Sequence, residues 1–430
     1  MLSSTAKAQV FYENGIYYEV TSSYDNLEAS VYPYNGSYQG VLEIPETVTT
    51  MVWCDYEQFE MTYTVTGISN DAFRDCNQLT KVVLPNTIRS IGRNAFYNCS
   101  ALSEINLPAS LTSIGSSAFG YCTSLNSIVI PENVNTIGWN AFYCCTGLTD
   151  VTISSAVTEL NGTFFGCTGL TAVEIPQSVT KLDGTFTGCT GLKAMNVPAS
   201  VEYIGARTFD GCTALASVVL PSSLTYIAEQ AFFNCENLKI VTCLAVTPPS
   251  MYTNDSESFD YLTYMDGLLF VPSASIPQYQ STDWWSLFQH IQGLLTLNVT
   301  SMTLNKGKSF KLVTNFAPGF ILDSPVTWRS SNPTTVAVTN NGLIRALAVG
   351  QAVIYATAGN EEVSCQVIVM DGEHILGDID GDGQVAIGDI TMLIDLILNG
   401  GAEPAFDDVD GNGIVDISDI TALIDYILNH

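Results

Sequence analysis

Eight cysteines fall at positions 76, 99, 122, 145, 167, 189, 212 and 235, separated by 23, 23, 23, 22, 22, 23 and 23 residues. A fixed spacing of this length requires a stack of similar coils, each one supersecondary unit that buries its apolar face only against its neighbours. The recurring phrase is seen in SEINLPASLTSIGSSAFGYC, NSIVIPENVNTIGWNAFYCC and ASVVLPSSLTYIAEQAFFNC. Leu79, Leu102, Leu125, Leu148, Leu170, Leu192, Leu215 and Leu238 open a short alternating segment. In LNSIVIP, alternation directs Leu125, Ile128 and Ile130 inward and Ser127 and Val129 outward, as in a strand. A proline that cannot donate to a ladder then stops it at 85, 108, 131, 176, 198 and 221, with Ser154 the one exception among these turns. Phe73, Phe96, Phe119, Phe142, Phe164, Phe186, Phe209 and Phe232 supply one large ring per coil, so stacking predicts a continuous aromatic row. At the usual strand spacing, eight coils span about 34 Å.

The I-G-x-x-A-F-x-x-C-x-x-L phrase closely resembles the BspA-like, Treponema-type leucine-rich repeat family. That resemblance implies a solenoid of short parallel strands over residues 9–292. Residues 9–67 (FYENGIYYEV, VLEIPETV) look like its N-terminal cap, and TPPSMY through LFVPSASIPQYQSTDWWSLFQHI looks like its closing segment. Open solenoid ends expose core and unpaired strand edges, so Trp284, Trp285 and Phe288 are expected to form a lid rather than a sugar platform. The eight ladder cysteines occupy one repeated site with parallel side chains, which predicts small buried thiols instead of disulfides or a metal site. Residues 1–8 in MLSSTAKAQVF end on a small-x-small triplet and are read as the remnant of an export signal.

From Thr296 to Met370 the period is replaced by short alternating runs, SFKLVTNF, PVTWRSS, TVAVTNNGLIRAL and QAVIYATAG. This stretch resembles the bacterial immunoglobulin-like group 2 domain and implies an Ig-like β-sandwich over 296–370. Trp328 is its expected core tryptophan and Asn341-Gly342 a hairpin turn. Lys306-Gly307-Lys308-Ser309 is not a phosphate loop, because Met302 stands where the first glycine belongs and a strand follows.

The formal charge is −29, which excludes nucleic-acid binding through a cationic surface. Residues 371–430 hold 14 Asp and Glu and no Lys or Arg. That charge is organised: DIDGDGQVAIGD (378–389) recurs as DVDGNGIVDISD (408–419), offset by 30 residues. Each loop puts oxygen ligands at positions 1, 3, 5 and 12 and a backbone carbonyl at 7, with glycine at 6 for the sharp turn around a hard cation. The predicted ligands are Asp378, Asp380, Asp382, the Gln384 carbonyl and Asp389, then Asp408, Asp410, Asn412, the Ile414 carbonyl and Asp419. At position 9 Ala386 requires a water, whereas Asp416 is available, so the second site is expected to be the tighter. DITMLIDLILNG and DITALIDYILNH follow at helical spacing, and neither loop has room for a helix before it.

Loop then helix, twice, with Asp at position 12, closely resembles a type I dockerin over 372–430, a small α unit with two calcium ions. The resemblance implies a cohesin-like partner, met through positions ten and eleven of each loop, Ile387-Gly388 and Ile417-Ser418. Two similar halves imply docking in either of two orientations. Without calcium the clustered carboxylates repel, so folding is expected to need the ion.

Catalytic constellations are missing: His290, His374 and His430 lie apart, and no H-E-x-x-H or G-x-S-x-G occurs. The outward positions Glu104, Asn106, Ser127, Asp150, Thr152, Ala172, Glu174, Ala194 and Asn196 suit contact better than acid/base chemistry. No apolar run is long enough to span a bilayer. The sequence is therefore read as a non-enzymatic recognition or adhesion protein, secreted or at the surface of a bacterium, whose solenoid binds a host or bacterial protein or glycan. The alternative is an accessory or weakly hydrolytic component of a polysaccharide-degrading complex.

Overall fold

The computed structural model describes residues 9–21, 27–34, 38–54, 57–251, 257–321, 325–370, 376–380, 384–399 and 408–429. The expected signal remnant, residues 1–8, lies outside these. Two compact units result: residues through Leu294 together with Ala317–Phe320, and Leu295–Phe316 together with the chain from Ile321 onward.

In the first unit the strands of successive coils lie in two rows. One row holds the Leu-started segments, such as Ser127–Val129 beside Asp150–Thr152 and Ala194–Asn196 beside Ser217–Leu220, all parallel and one coil apart in register. The other holds pairs such as Ser90-Ile91, Ser113-Ile114 and Thr136-Ile137. Alternation works as predicted, with Leu125, Ile128 and Ile130 buried and Val129 exposed.

A third connection runs through the turn around each phenylalanine. Asn94, Phe96 and Asn98 donate their N–H groups to the carbonyls of Ser116, Ala118 and Gly120 in the next coil, at 2.7–3.0 Å, and the same triplet of bonds recurs from coil to coil. It requires two left-handed positions per coil. Asp71/Asp75, Asn94/Asn98, Ser117/Tyr121, Asn140/Cys144 and Gln230/Asn234 all have positive φ, and in the two 22-residue coils both positions are glycine, 162/166 and 184/188. Those coils drop one residue between strand and phenylalanine, and glycine accommodates the tighter bend.

The phenylalanines from Phe73 to Phe232 stack in one file, ring centroids 5.0–5.8 Å apart and planes within 15°. Phe259 continues the file and is closed by Tyr264, Trp285 and Phe288. Trp285 and Phe288 are buried, and the Trp285 indole N–H donates to the Pro249 carbonyl at 2.8 Å, so this cluster is a lid. At the other end Tyr38 meets Phe73 edge-on.

The thiols do more than fill space. Cys99, Cys122, Cys145, Cys167, Cys189, Cys212 and Cys235 each donate S–H to the carbonyl of the phenylalanine one coil earlier, at 3.0–3.2 Å. Burial pushes Cys212 up to about 12 and Cys122, Cys167 and Cys189 well above the usual thiol range. Reactivity needs thiolate and access, so these groups are inert in the fold. A thiol-specific reagent is expected to leave the ten buried described cysteines unmodified in the native chain and to label them all in denaturant. Rapid native labelling of several ladder positions, read by peptide mass, would contradict the packing.

The second unit contains two facing sheets. One is ordered Ser301–Asn305, Glu361–Met370, Gly350–Ala358, Thr327–Ser330, and the other Ser309–Lys311, Leu343–Ala346, Val336–Val338. Two expectations need correction. SFKLVTNF is not one strand: Ser309–Lys311 pairs with Leu343–Ala346, and Thr314–Phe316 pairs with Leu295–Leu297. The Asn298 side chain accepts from Val313 N–H and donates to the Lys311 carbonyl where the run changes sheets. Trp328 is only partly buried and packs on the core from its edge. Its ring covers Gly342, φ +83°, where a Cβ would come within 2.7 Å of it, and the hairpin turn stands as expected.

The candidate calcium loops and docking helices

The two tail helices, Ile387–Asn399 and Ile417–Asn429, each start inside a loop copy. The position-12 carboxylate organises each start. Asp389 is buried; its Oδ1 accepts from the N–H groups of Ile379 and Asp380, at 2.7 and 3.0 Å, and its Oδ2 from Ala386 N–H at 2.7 Å. Asp419 repeats this with Val409, Asp410 and Asp416. Both sit in the first helical turn, where carboxylates are favoured, and reach back to the residue before the helix as in a capping box. This role was legible as the D-x-x-D spacing at 416–419, but sequence reading assigned these residues to the ion alone.

Around each helix start the acidic groups converge. Asp378, Asp380 and Asp389 bring one carboxylate oxygen apiece within 4.8 Å of one another, and Asp408, Asp410 and Asp419 do the same. Like charges at that distance repel by roughly 1 kcal/mol per pair even at the dielectric of water. Residues 371–430 contain no Lys or Arg to offset this charge, and a bound cation would supply the compensation. Oxygen-only donors select a hard ion, and the donor sets fit two calcium ions, each of which would neutralise its carboxylates and tie the loop to its helix.

The remaining predicted ligands are placed as follows. Asp382 lies outside the described residues, and Gln384 and Ile414 stand in their loops. Asn412 donates its side-chain N–H to Asp410 Oδ2 and accepts from Ile414 N–H. Asp416 stands at the helix N-cap, its Oδ1 accepting from Ser418 N–H at 2.8 Å. Of the partner positions, Ile387 and Ile417 are 74% and 76% exposed. Ser418 turns into the loop and donates to Asp410 Oδ2 at 2.7 Å, holding that carboxyl below its usual range. Because the shift is downward, its stabilising effect is present above about pH 4 and is lost as pH falls below it.

Sequence reading did not foresee how far the exposed apolar surface extends. Ile387, Ile394 and Leu398 lie on one stripe of the first helix, and Ile417, Ile424 and Leu428 on the same stripe of the second. The two ends match closely, Leu398 and Leu428 being 78% and 76% exposed. Leu393 and Leu423 face inward instead and are fully buried.

Comparison with known proteins finds three families along the chain. The BspA type leucine rich repeat region matches residues 49–166 and 161–269, the bacterial Ig-like domain (group 2) matches 295–369, and the dockerin type I domain matches 376–428. None of the three is a catalytic domain. An uncharacterised protein of Clostridium acetobutylicum is 37% identical over 87 residues, which is 20% of this chain and 22% of that protein. Among solved structures, a leucine-rich repeat protein of Bacteroides ovatus is 24% identical with a TM-score of 0.38, covering 69% of this chain and 84% of that one. A leucine rich cell surface protein of Faecalibacterium prausnitzii is 20% identical with a TM-score of 0.30, covering 56% and 96%. The repeat match extends over more than half of the residues, and the chain belongs to the BspA-type leucine-rich repeat proteins, carrying in addition a group 2 Ig-like domain and a C-terminal type I dockerin.

Proposed function

We propose that the chain is a non-enzymatic recognition protein, exported or displayed at a bacterial surface. In this reading the solenoid contacts a protein or glycan, the Ig-like domain spaces it, and the dockerin fastens it to a cohesin-like domain. The twin apolar stripes carry the reading, since two exposed rows of equal chemistry on two calcium-organised helices form a surface that water alone does not favour. The solenoid's outward strand positions, mostly small or uncharged, fit contact rather than turnover, and the one described histidine, His290, is exposed on a capping strand. A role in a polysaccharide-degrading complex would use the same dockerin, without requiring hydrolysis by this chain.

The test is capture on a panel of type I cohesin domains in calcium. Ile387→Asp or Ile417→Asp alone is expected to leave binding nearly intact, because the other half engages after rotation. The double variant is expected to weaken it about hundredfold or more, as for loss of a central apolar anchor. Abolition by either single change removes the two-orientation reading, and an unaffected double variant removes the stripes from the interface.

A further inference from the structure

The row of Leu-started strands is interrupted at one coil. Asp150–Thr152 pairs with Ser127–Val129 on one side, and Ala194–Asn196 pairs with Ser217–Leu220 on the other. Between them, Ala172–Ile175 forms no strand, and among the described residues no backbone hydrogen bond joins it to either neighbouring coil; the nearest is Lys193 N–H to the Thr171 carbonyl. The stack itself continues through the gap along the turn ladder: Gly162, Phe164 and Gly166 donate to Asp183, Thr185 and Thr187 at 2.7–3.0 Å.

Three further properties coincide there. A groove of about 540 Å³ opens over Asp150–Ile153 and Ala172–Gln177. Its floor offers two apolar footholds, since Val151 and Val173 remain partly exposed where the equivalent Ile128 and Met195 of flanking coils are buried. Its rim carries the exposed carboxylates of Asp150 and Glu174, neither of which forms an ion pair among the described residues. By contrast, Glu104, further along the same row, is paired with Lys81.

We infer that this gap is a docking groove for an extended, cationic peptide segment of a partner protein. Its main chain would pair with the open strand edges, a β-branched side chain would rest on Val151 and Val173, and a Lys or Arg would reach Asp150 and Glu174. Unpaired strand edges bind extended chains by main-chain hydrogen bonds, with alternate side chains giving specificity. The rim charge selects a cationic occupant. A neutral glycan would donate hydroxyls to the open backbone and to both carboxylates but brings no positive charge to balance them, which a Lys or Arg does. The inference rests on the recognition reading above and narrows it to one coil pair and one ligand class.

The test uses the full chain. A random peptide library displayed on phage is panned against it, and recovered peptides are titrated, fluorescein-labelled, against the chain, D150N/E174Q and Ala172→Trp. The recovered sequences are expected to combine Lys or Arg with β-branched residues and to slow amide exchange at Val173, Glu174 and Ile175. They should bind D150N/E174Q at least about tenfold more weakly, as for two lost partly exposed charge contacts. D150N/E174Q preserves shape, while A172W fills the groove without altering charge, so the two variants report independently and both should weaken binding. Peptides that ignore both variants and protect other coils overturn the groove but leave the solenoid a recognition surface. Recovery of no peptide, with a soluble glycan slowing the same amides, overturns the choice of occupant. Failure of every peptide and glycan to bind any coil overturns the groove and the recognition reading together.

Discussion

Chelation of calcium is expected to unfold residues 376–429 completely while leaving the circular dichroism of the solenoid almost unchanged. The tail has a small core, centred on Ile379, Leu393 and Leu423, and two carboxylate clusters whose members lie within 4.8 Å. So little apolar area does not hold six carboxylates together unaided, and ion binding is then folding free energy. The coils, in contrast, draw on phenylalanine stacking, thiol–carbonyl bonds and the turn ladder, none of which involves a metal. Amide exchange with and without chelator separates the tail from the coils. Equal protection of Ile379, Leu393 and Leu423 in both conditions would refute the calcium assignment.

The second large effect concerns the aromatic file. Phe142 is fully buried, with Phe119 and Phe164 at 5.3 and 5.7 Å. Phe142→Ala removes that ring from a site with rigid neighbours on both sides, and is expected to lower stability by about 3–5 kcal/mol. Because each coil contacts only its neighbours, the loss should also divide one unfolding transition into two. Tyr97→Ala, on the half-exposed outer ridge beside Tyr121, is the control and should have a much smaller effect. Urea unfolding followed by circular dichroism reads both, and a Phe142→Ala effect no larger than that of Tyr97→Ala would mean the ring file is not the core.

Sequence period and alternation were enough to read the coils, because a residue's inward or outward direction follows from its place in a repeated unit. The inward Leu125, outward Val129 and stacked phenylalanines all follow from that rule. What escaped it depends on the distance between coils. The thiol of Cys145 meets the carbonyl of Phe119, 26 residues earlier, a contact visible only once the coils are stacked. TAVEIP reads as well as a strand as any other copy, yet among the described residues 172–175 forms no strand pairing; pairing is decided by the approach of neighbouring coils, which composition does not encode. Similarly, Ser154 replaces the turn proline without harm because its hydroxyl donates to the Glu132 carbonyl and accepts from Ala156 N–H. In the tail, ligand spacing was legible at once; the capping duty had a sequence signal only at 416–419, and that of Asp389, which follows Ala386 rather than an Asp, emerged from the hydrogen bonds.

The most direct measurement is surface capture of the full chain, and of a chain ending at Met370, on immobilised type I cohesin domains in calcium and in chelator. The account predicts that one or more cohesins retain the full chain in calcium, release it in chelator, and never retain the shortened chain. Retention in chelator, retention of the shortened chain, or the absence of binding to every cohesin would contradict it.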